Sequence, residues 1–229
     1  MSASASDFAR KRQTMVECQI RTFDVTDQPL LQRFFDVPRE IFVGAANQAA
    51  AYSDSLLTVR GEDARVMLRP LVLARLLQGA RIERSDRVLV VGGGAGYSAA
   101  IVAGLANEVV ALESDAKLAE AAKANLNSLG FANVQVVVGP LEQGVKDGAG
   151  FSLIVVEGAI EVEPTALLAQ LREDGRLVAI VHEASDPTGQ AAKAILFERS
   201  GAQIGHRQLF SAFAAPVLTG FARAQEFAF

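Results

Sequence analysis

The sequence contains a single cysteine, Cys18, and this excludes an internal disulfide bond. Neither this thiol nor the two histidines, His182 and His206, stand in a set spaced for metal ligation, so no metal site is predicted. No apolar run approaches the roughly 18 residues that a membrane-spanning helix requires, and the first residues lack a signal-peptide core. We therefore expect a protein that makes no membrane contact and resides in the cytoplasm, where a lone thiol stays reduced.

The sequence also has no large excess of charge of either sign. It carries 22 Lys and Arg against 26 Asp and Glu, a formal net charge of −4. Arginines are concentrated between residues 60 and 87, but acidic residues alternate with them, which is typical of a solvated surface. The charge pattern therefore predicts no nucleic-acid partner.

An apolar fraction of 50% in 229 residues is sufficient for one sizeable core. Apolar runs of strand length alternate with helical runs, which is typical of a parallel sheet covered on both faces. These strand-like runs are 87–92, 108–113, 134–139, 151–157 and 175–182. Two later runs, 192–198 and 206–210, are joined by a short connection that favours an antiparallel edge. We predict an α/β fold, a doubly wound and mostly parallel seven-stranded sheet with N-terminal helices and an antiparallel C-terminal edge.

Helical patterns occupy the chain before the sheet. Residues 7–43 show short amphipathic pieces, and Asp27 is the predicted N-cap of the piece that begins at Gln28. The helical period returns from Val66, and a crossover helix is predicted from Pro164 to Leu171. The stretch between residues 44 and 63 has no regular period and includes a turn-like segment at 60–63.

A glycine loop, GGGAG, follows the first apolar strand within the stretch VLVVGGGAGYSAA (88–100). In an open parallel sheet, ligands bind beyond the carboxyl ends of the strands, beside the first strand. Gly92, Gly94 and Gly96 have the spacing G-x-G-x-G, whereas a dinucleotide site needs G-x-G-x-x-G. The third dinucleotide glycine is here the bulky Tyr97, which weighs against NAD or FAD.

Glu113 ends the second strand of this sheet. A carboxylate at that place can accept two hydrogen bonds from ribose hydroxyls. The glycine loop together with this acid suits an adenosine ligand without a pyrophosphate, and S-adenosylmethionine fits that description. The alternative is a tight strand-to-helix turn with an exposed acid and no ligand.

These motifs resemble those of the protein-L-isoaspartate O-methyltransferases, which are Rossmann-like class I S-adenosylmethionine-dependent methyltransferases. VPREIFV (37–43) is similar to the family's VPRE-x-FV, and AYSDSLL (51–57) is similar to AY-x-D-x-PL. The glycine loop with Tyr97 is similar to VLEIGTGSGYQAA. Further similarity lies at 15–31, 129–140, 175–181 and 220–229, so that the resemblance covers nearly the whole chain.

The resemblance implies transfer of a methyl group from S-adenosylmethionine to the free α-carboxylate of an isoaspartyl residue in a damaged protein. The ester then closes to a succinimide, which can reopen as normal aspartate, so the partner is a protein or peptide substrate. Tyr52 and Asp54 match the motif that is expected to frame the substrate groove. The implied cofactor contacts are Gly92, Gly93, Gly94, Gly96, Tyr97, Glu113 and Leu141. The chain is then one compact unit, an N-terminal helical and substrate-groove segment (1–65) followed by the cofactor-binding α/β domain (66–229).

The sequence departs from the family in its substrate loop. The family places a serine there against the substrate carboxylate, and alignment on Pro70 brings Leu68 to that position. Arg65 or Arg69 could instead grip a carboxylate with two hydrogen bonds, and Glu157 at the end of the fourth strand is a candidate general base. Three readings stay open: an isoaspartyl methyltransferase, a non-catalytic relative that binds cofactor or a partner, and a methyltransferase for another carboxylate or amine. The sequence predicts no particular oligomeric state.

Overall fold

A seven-stranded sheet forms the centre of the computed structural model, which describes residues 5–59, 65–146, 150–186, 188, 190–213 and 215–223. The strand order is β5-β4-β3-β6-β7-β8-β9. Strands β5 to β7 run parallel, and β8 and β9 are antiparallel. The strands are β3 Arg87–Val91, β4 Glu108–Glu113, β5 Val134–Val138, β6 Phe151–Ile160, β7 Leu171–His182, β8 Ala191–Ser200 and β9 Gln203–Phe213. The predicted fold class, including the antiparallel edge, is confirmed.

Helices and a small second sheet surround these strands. The α-helices are α1 Ala5–Thr14, α2 Gln28–Asp36, α3 Gly44–Asn47, α4 Pro70–Ala80, α5 Tyr97–Ala103, α6 Ala116–Ser128 and α7 Thr165–Leu168. The small sheet pairs β1 Leu57–Thr58 with β2 Val66–Met67 in antiparallel orientation. In the described part of the chain, none of the helices has both the length and the apolar character needed to cross a membrane.

Continuous apolar runs give the sheet its buried centre. All ten residues of β6 are buried, and β3 beside it is buried from Val88 onward. The same apolar cluster contains Met15, Ile20 and Phe34, so the N-terminal helices share a core with the sheet. Asp27 caps α2 as predicted, because its side chain accepts a hydrogen bond from the Leu30 N–H at 3.0 Å. The boundary at residue 65 stays a prediction.

Two predicted helices differ from the observed ones. The helix expected from Val66 begins at Pro70, because Arg69 precedes a proline and takes an extended conformation with ψ 139°. Val66 and Met67 instead pair with β1. The crossover helix expected over 164–171 is only Thr165–Leu168, because Leu171 already pairs with Phe151 in the sheet. The turn expected at 60–63 lies outside the described residues.

A buried ion pair closes the amino-terminal end of the sheet. Arg176 on β7 donates to both carboxylate oxygens of Asp86, at 2.7 and 3.3 Å, and to the Ser152 carbonyl oxygen at 3.1 Å. Burial opposes ionisation of Asp86, but the Arg176 guanidinium and the Glu83 N–H outweigh it and hold the pKa of this carboxyl below its usual range.

We expect Asp86→Ala to lower the free energy of unfolding by about 3 kcal/mol, because it leaves a mostly buried guanidinium without its counter-ion. Since the folded-state pKa of Asp86 is depressed, its contribution is present above the ordinary carboxyl pKa and is lost as the pH falls. Urea unfolding at neutral and acidic pH measures both effects. Glu198→Ala is the control, because the Arg81–Glu198 pair is exposed and is expected to contribute less than about 1 kcal/mol. Equal effects of the two variants would contradict the prediction.

Candidate functional site

The glycine loop between β3 and α5 has a left-handed backbone at three positions. Gly92, Gly94 and Gly96 have φ values of +74°, +56° and +100°, a region in which side chains with a Cβ are strained. Gly96 is also the N-cap residue of α5. The loop therefore turns tightly and presents main chain rather than side chains at the carboxyl end of β3.

Glu113 faces this loop from the end of β4. Its Oε2 accepts a hydrogen bond from the Gly94 N–H at 3.0 Å. Its Oε1 accepts from the N–H groups of Ser114 at 2.8 Å and Asp115 at 3.2 Å. The carboxylate is thus held at the loop by main-chain donors on both oxygens, as the predicted ribose contact requires.

Arg65 occupies the remaining side of this carboxylate. Its Nη2 lies 2.8 Å from Glu113 Oε1 and 2.9 Å from Ser114 Oγ. The side chains of Arg65 and Glu113 are only 2% and 3% exposed, so this is a buried ion pair. The structure therefore brings Arg65, a candidate substrate anchor, to the predicted cofactor acid.

Apolar side chains cover the rest of the glycine loop. Leu218 packs over Gly92, where an added Cβ would lie 3.2 Å from it, and over Gly158 at the end of β6. Leu141, a predicted adenine contact, is buried 3.5 Å from the same Gly92 position. Val59 approaches Gly94 to 3.4 Å measured in the same way. The sequence contained no signal for the contacts of Leu218 and Val59.

A cavity of about 920 Å³ opens on the outer side of the loop. It is lined by Val43, Thr58 and Val59 on one side and by Ala95 and the start of α6 on the other. Its lining contains neither Gly92 nor Glu113. The cavity is therefore adjacent to the predicted cofactor contacts without enclosing them.

Tyr97 points away from the loop surface into the core. Its ring makes edge contacts with Phe34 at 6.3 Å and Phe42 at 5.5 Å, and the Arg39 guanidinium lies 4.7 Å above it. Burial raises the pKa of Tyr97 to about 12. The bulk that separates this loop from a dinucleotide loop is thus accommodated by the N-terminal helices.

Glu157 lies at the carboxyl end of β6, on the other side of β3 from Glu113. The Ser98 hydroxyl on α5 donates a short hydrogen bond to its Oε2, while Oε1 has no partner among the described residues. Burial raises the pKa of Glu157, with Glu113 adding to the shift, although Ser98, Arg39 and the Leu68 N–H oppose it. The isolated site thus favours the neutral acid.

The other predicted residues lie apart from the loop. The Tyr52 hydroxyl donates to Glu40, and burial raises its pKa. Asp54 is exposed and lies near the start of α4. Arg69 stacks 5.7 Å from the Phe213 ring and, with Leu68, lines a recess beside β7. The structure thus gathers Gly92 to Gly96, Glu113, Leu141, Arg65 and Glu157, and leaves Tyr52, Asp54 and Arg69 outside that group.

Comparison with known proteins identifies similar sequences. The family profile described as "Protein-L-isoaspartate(D-aspartate) O-methyltransferase (PCMT)" matches residues 10–211. A protein-L-isoaspartate O-methyltransferase of Koribacter versatilis is 37% identical over 177 residues, which are 77% of this chain and 79% of that protein. One of Roseiflexus castenholzii is 34% identical over 217 residues, 94% of this chain and 95% of that protein.

Solved structures share the fold. A protein-L-isoaspartate O-methyltransferase superposes with a TM-score of 0.76 at 24% identity, over 90% of this chain and 65% of that longer chain. A Plasmodium falciparum structure described under the same enzyme name, in complex with S-adenosyl-L-homocysteine, gives 0.69 at 17% identity. That match covers 91% of this chain and 97% of the other.

Proposed function

The chain belongs to the protein-L-isoaspartate O-methyltransferase family, and from this premise we propose that it methylates the α-carboxylate of isoaspartyl residues in proteins or peptides, with S-adenosylmethionine as methyl donor. One observation carries the proposal: the left-handed glycine loop faces the Glu113 carboxylate at neighbouring strand ends. Bare main chain and a fixed carboxylate are what an adenosyl group without phosphates needs.

The residues of the site fit this cofactor. Glu113 would accept hydrogen bonds from the ribose hydroxyls, the main chain of Gly92 to Gly96 would lie against the ligand, and Leu141 would offer an apolar surface to the adenine. When bound, the cofactor supplies a methyl group activated by a sulfonium. Both Arg65 and Leu218 lie on this surface, so the cofactor and these side chains compete for it.

The acceptor chemistry requires orientation more than proton transfer. A carboxylate is already ionised near neutral pH and can attack the methyl carbon directly. Residues that hold it in line with the methyl group therefore contribute the rate, through proximity and exclusion of water. A general base is unnecessary, so we assign no such role to Glu157. A cytoplasmic location stays part of this proposal, which names no nucleic-acid partner and no oligomeric state.

We expect calorimetric titration to show binding of both S-adenosylmethionine and S-adenosylhomocysteine, and methyl transfer to an isoaspartyl peptide. The same peptide with normal aspartate is the control and is expected to accept no methyl group. Absence of heat at millimolar ligand would refute the proposed cofactor. Binding without transfer to the isoaspartyl peptide would refute the proposed acceptor and favour a non-catalytic relative or another substrate.

A further inference from the structure

The position of Glu157 in the strand order suggests a second contact with the cofactor. Leu141 follows β5, Glu113 ends β4, the glycine loop follows β3, and Glu157 lies near the end of β6. These four strands are neighbours in the order β5-β4-β3-β6. If Leu141 meets the adenine and Glu113 the ribose, the rest of the ligand crosses the glycine loop towards β6. Two strand spacings, about 10 Å, separate the ends of β4 and β6.

Glu157 reaches the surface that such a ligand would cross. A Cβ built on Gly93 would lie 3.4 Å from Glu157 Oε2 and 3.0 Å from Ser98 Oγ. The carboxyl group is therefore packed against the centre of the loop. Its side chain belongs to a residue that is 1% exposed, so it is not a solvated strand end.

One oxygen of this carboxyl group lacks a partner. Ser98 satisfies Oε2, and Oε1 accepts no hydrogen bond from any residue in the described ranges. A buried polar atom without a partner costs about 1–3 kcal/mol, so such atoms usually mark a site completed by a ligand or water.

The charges around Glu157 leave room for a cation. Arg39 is the nearby positive group, but its Nε and Nη2 donate to the carbonyl oxygens of Ala51 and Leu68. Glu113 contributes negative charge from the other side of the loop, and Tyr97 is neutral because burial raises its pKa. A ligand cation beside Oε1 would gain a charge-assisted hydrogen bond in a dry environment.

We propose that Glu157 holds the α-ammonium group of S-adenosylmethionine and of its demethylated product, with Ser98 orienting the carboxylate. The inference rests on the cofactor named in the proposed function. On binding, the Glu157 carboxylic acid loses its proton to solvent and the resulting carboxylate accepts hydrogen bonds from the ligand ammonium. Adenine, ribose and ammonium are then each matched to the end of a different strand.

The test uses Glu157→Gln and two ligands. S-adenosylhomocysteine carries the amino-acid group, whereas 5′-methylthioadenosine lacks it and keeps adenine and ribose. We expect the variant to bind S-adenosylhomocysteine about tenfold to hundredfold more weakly, as for the loss of a hydrogen bond to a charged group. Its affinity for 5′-methylthioadenosine is expected to be unchanged. Glu161→Gln, four residues further along, is the control that changes neither affinity.

Proton counting supplies a readout that needs no variant. Calorimetry in buffers of different ionisation enthalpy should show proton release when wild-type protein binds S-adenosylhomocysteine and none when it binds 5′-methylthioadenosine. Glu157→Gln should abolish the release. The variant should also lose the decline in wild-type stability as the pH rises through the raised Glu157 pKa, because glutamine does not titrate.

Several outcomes would overturn the inference: no proton release by the wild type, equal affinity of variant and wild type for S-adenosylhomocysteine, or equal weakening of both ligands. A wild type that binds neither ligand would refute this inference together with the proposed cofactor. Cofactor binding that depends on Glu157, without methylation of an isoaspartyl peptide, would support the inference and refute only the proposed acceptor.

Discussion

Replacing Glu113 by alanine is expected to lower the free energy of unfolding by about 3–5 kcal/mol and to abolish detectable binding of S-adenosylhomocysteine. The first effect follows because Arg65 is buried and would lose its counter-ion. The second follows because the variant removes the proposed ribose acceptor and the acceptor for the Gly94 N–H, which stabilises the glycine loop. Urea unfolding and calorimetric titration measure the two effects separately.

Arg65→Met is the matched variant, because it breaks the same ion pair and keeps the carboxylate. Glu113 would still accept hydrogen bonds from the N–H groups of Gly94, Ser114 and Asp115. Since Arg65 no longer competes for Oε1, this variant is expected to bind S-adenosylhomocysteine at least as tightly as the wild type. If Arg65→Met loses affinity as Glu113→Ala does, the arginine assists the ligand and does not compete with it.

The second large effect is expected for Gly94→Val, which should weaken S-adenosylhomocysteine binding by about a hundredfold or more, roughly 2.7 kcal/mol. The added side chain would stand on the loop surface that the ligand needs and would meet Val59, 3.4 Å from the Cβ position. A β-branched residue is also strained at φ +56°, by about 1–2 kcal/mol, so the loop would shift. Calorimetric titration of the folded variant measures the loss.

Gly130→Val separates the two causes. Gly130 has φ +76° at the far end of α6, and an added Cβ there meets no atom within 4 Å. This control should lose stability for the same backbone reason and keep the ligand affinity of the wild type. If both variants retain affinity, the glycine loop does not hold the ligand. If both lose it, the Gly94 result reports general damage to the fold.

The fold class and the place of the loop were predictable from local patterns. Unbroken apolar runs such as those of β3 and β6 indicate strands buried on both faces, wherever they later pair. A cluster of glycines directly after such a run indicates main chain in the left-handed region, because the absence of a Cβ acts within the residue itself. The start of α4 was missed although its signal was local, since Pro70 restricts the residue before it.

The sequence by itself therefore determined the family, the strand order along the chain and the residues at the strand ends. Only the tertiary structure decided which partners those residues have: Arg65 on Glu113, 48 residues away, Leu218 on Gly92, and the Tyr97 ring between Phe34 and Phe42. The reason is physical. Backbone preference and apolar periodicity act over a few residues, whereas burial and ion pairing depend on segments that meet when the whole chain has packed.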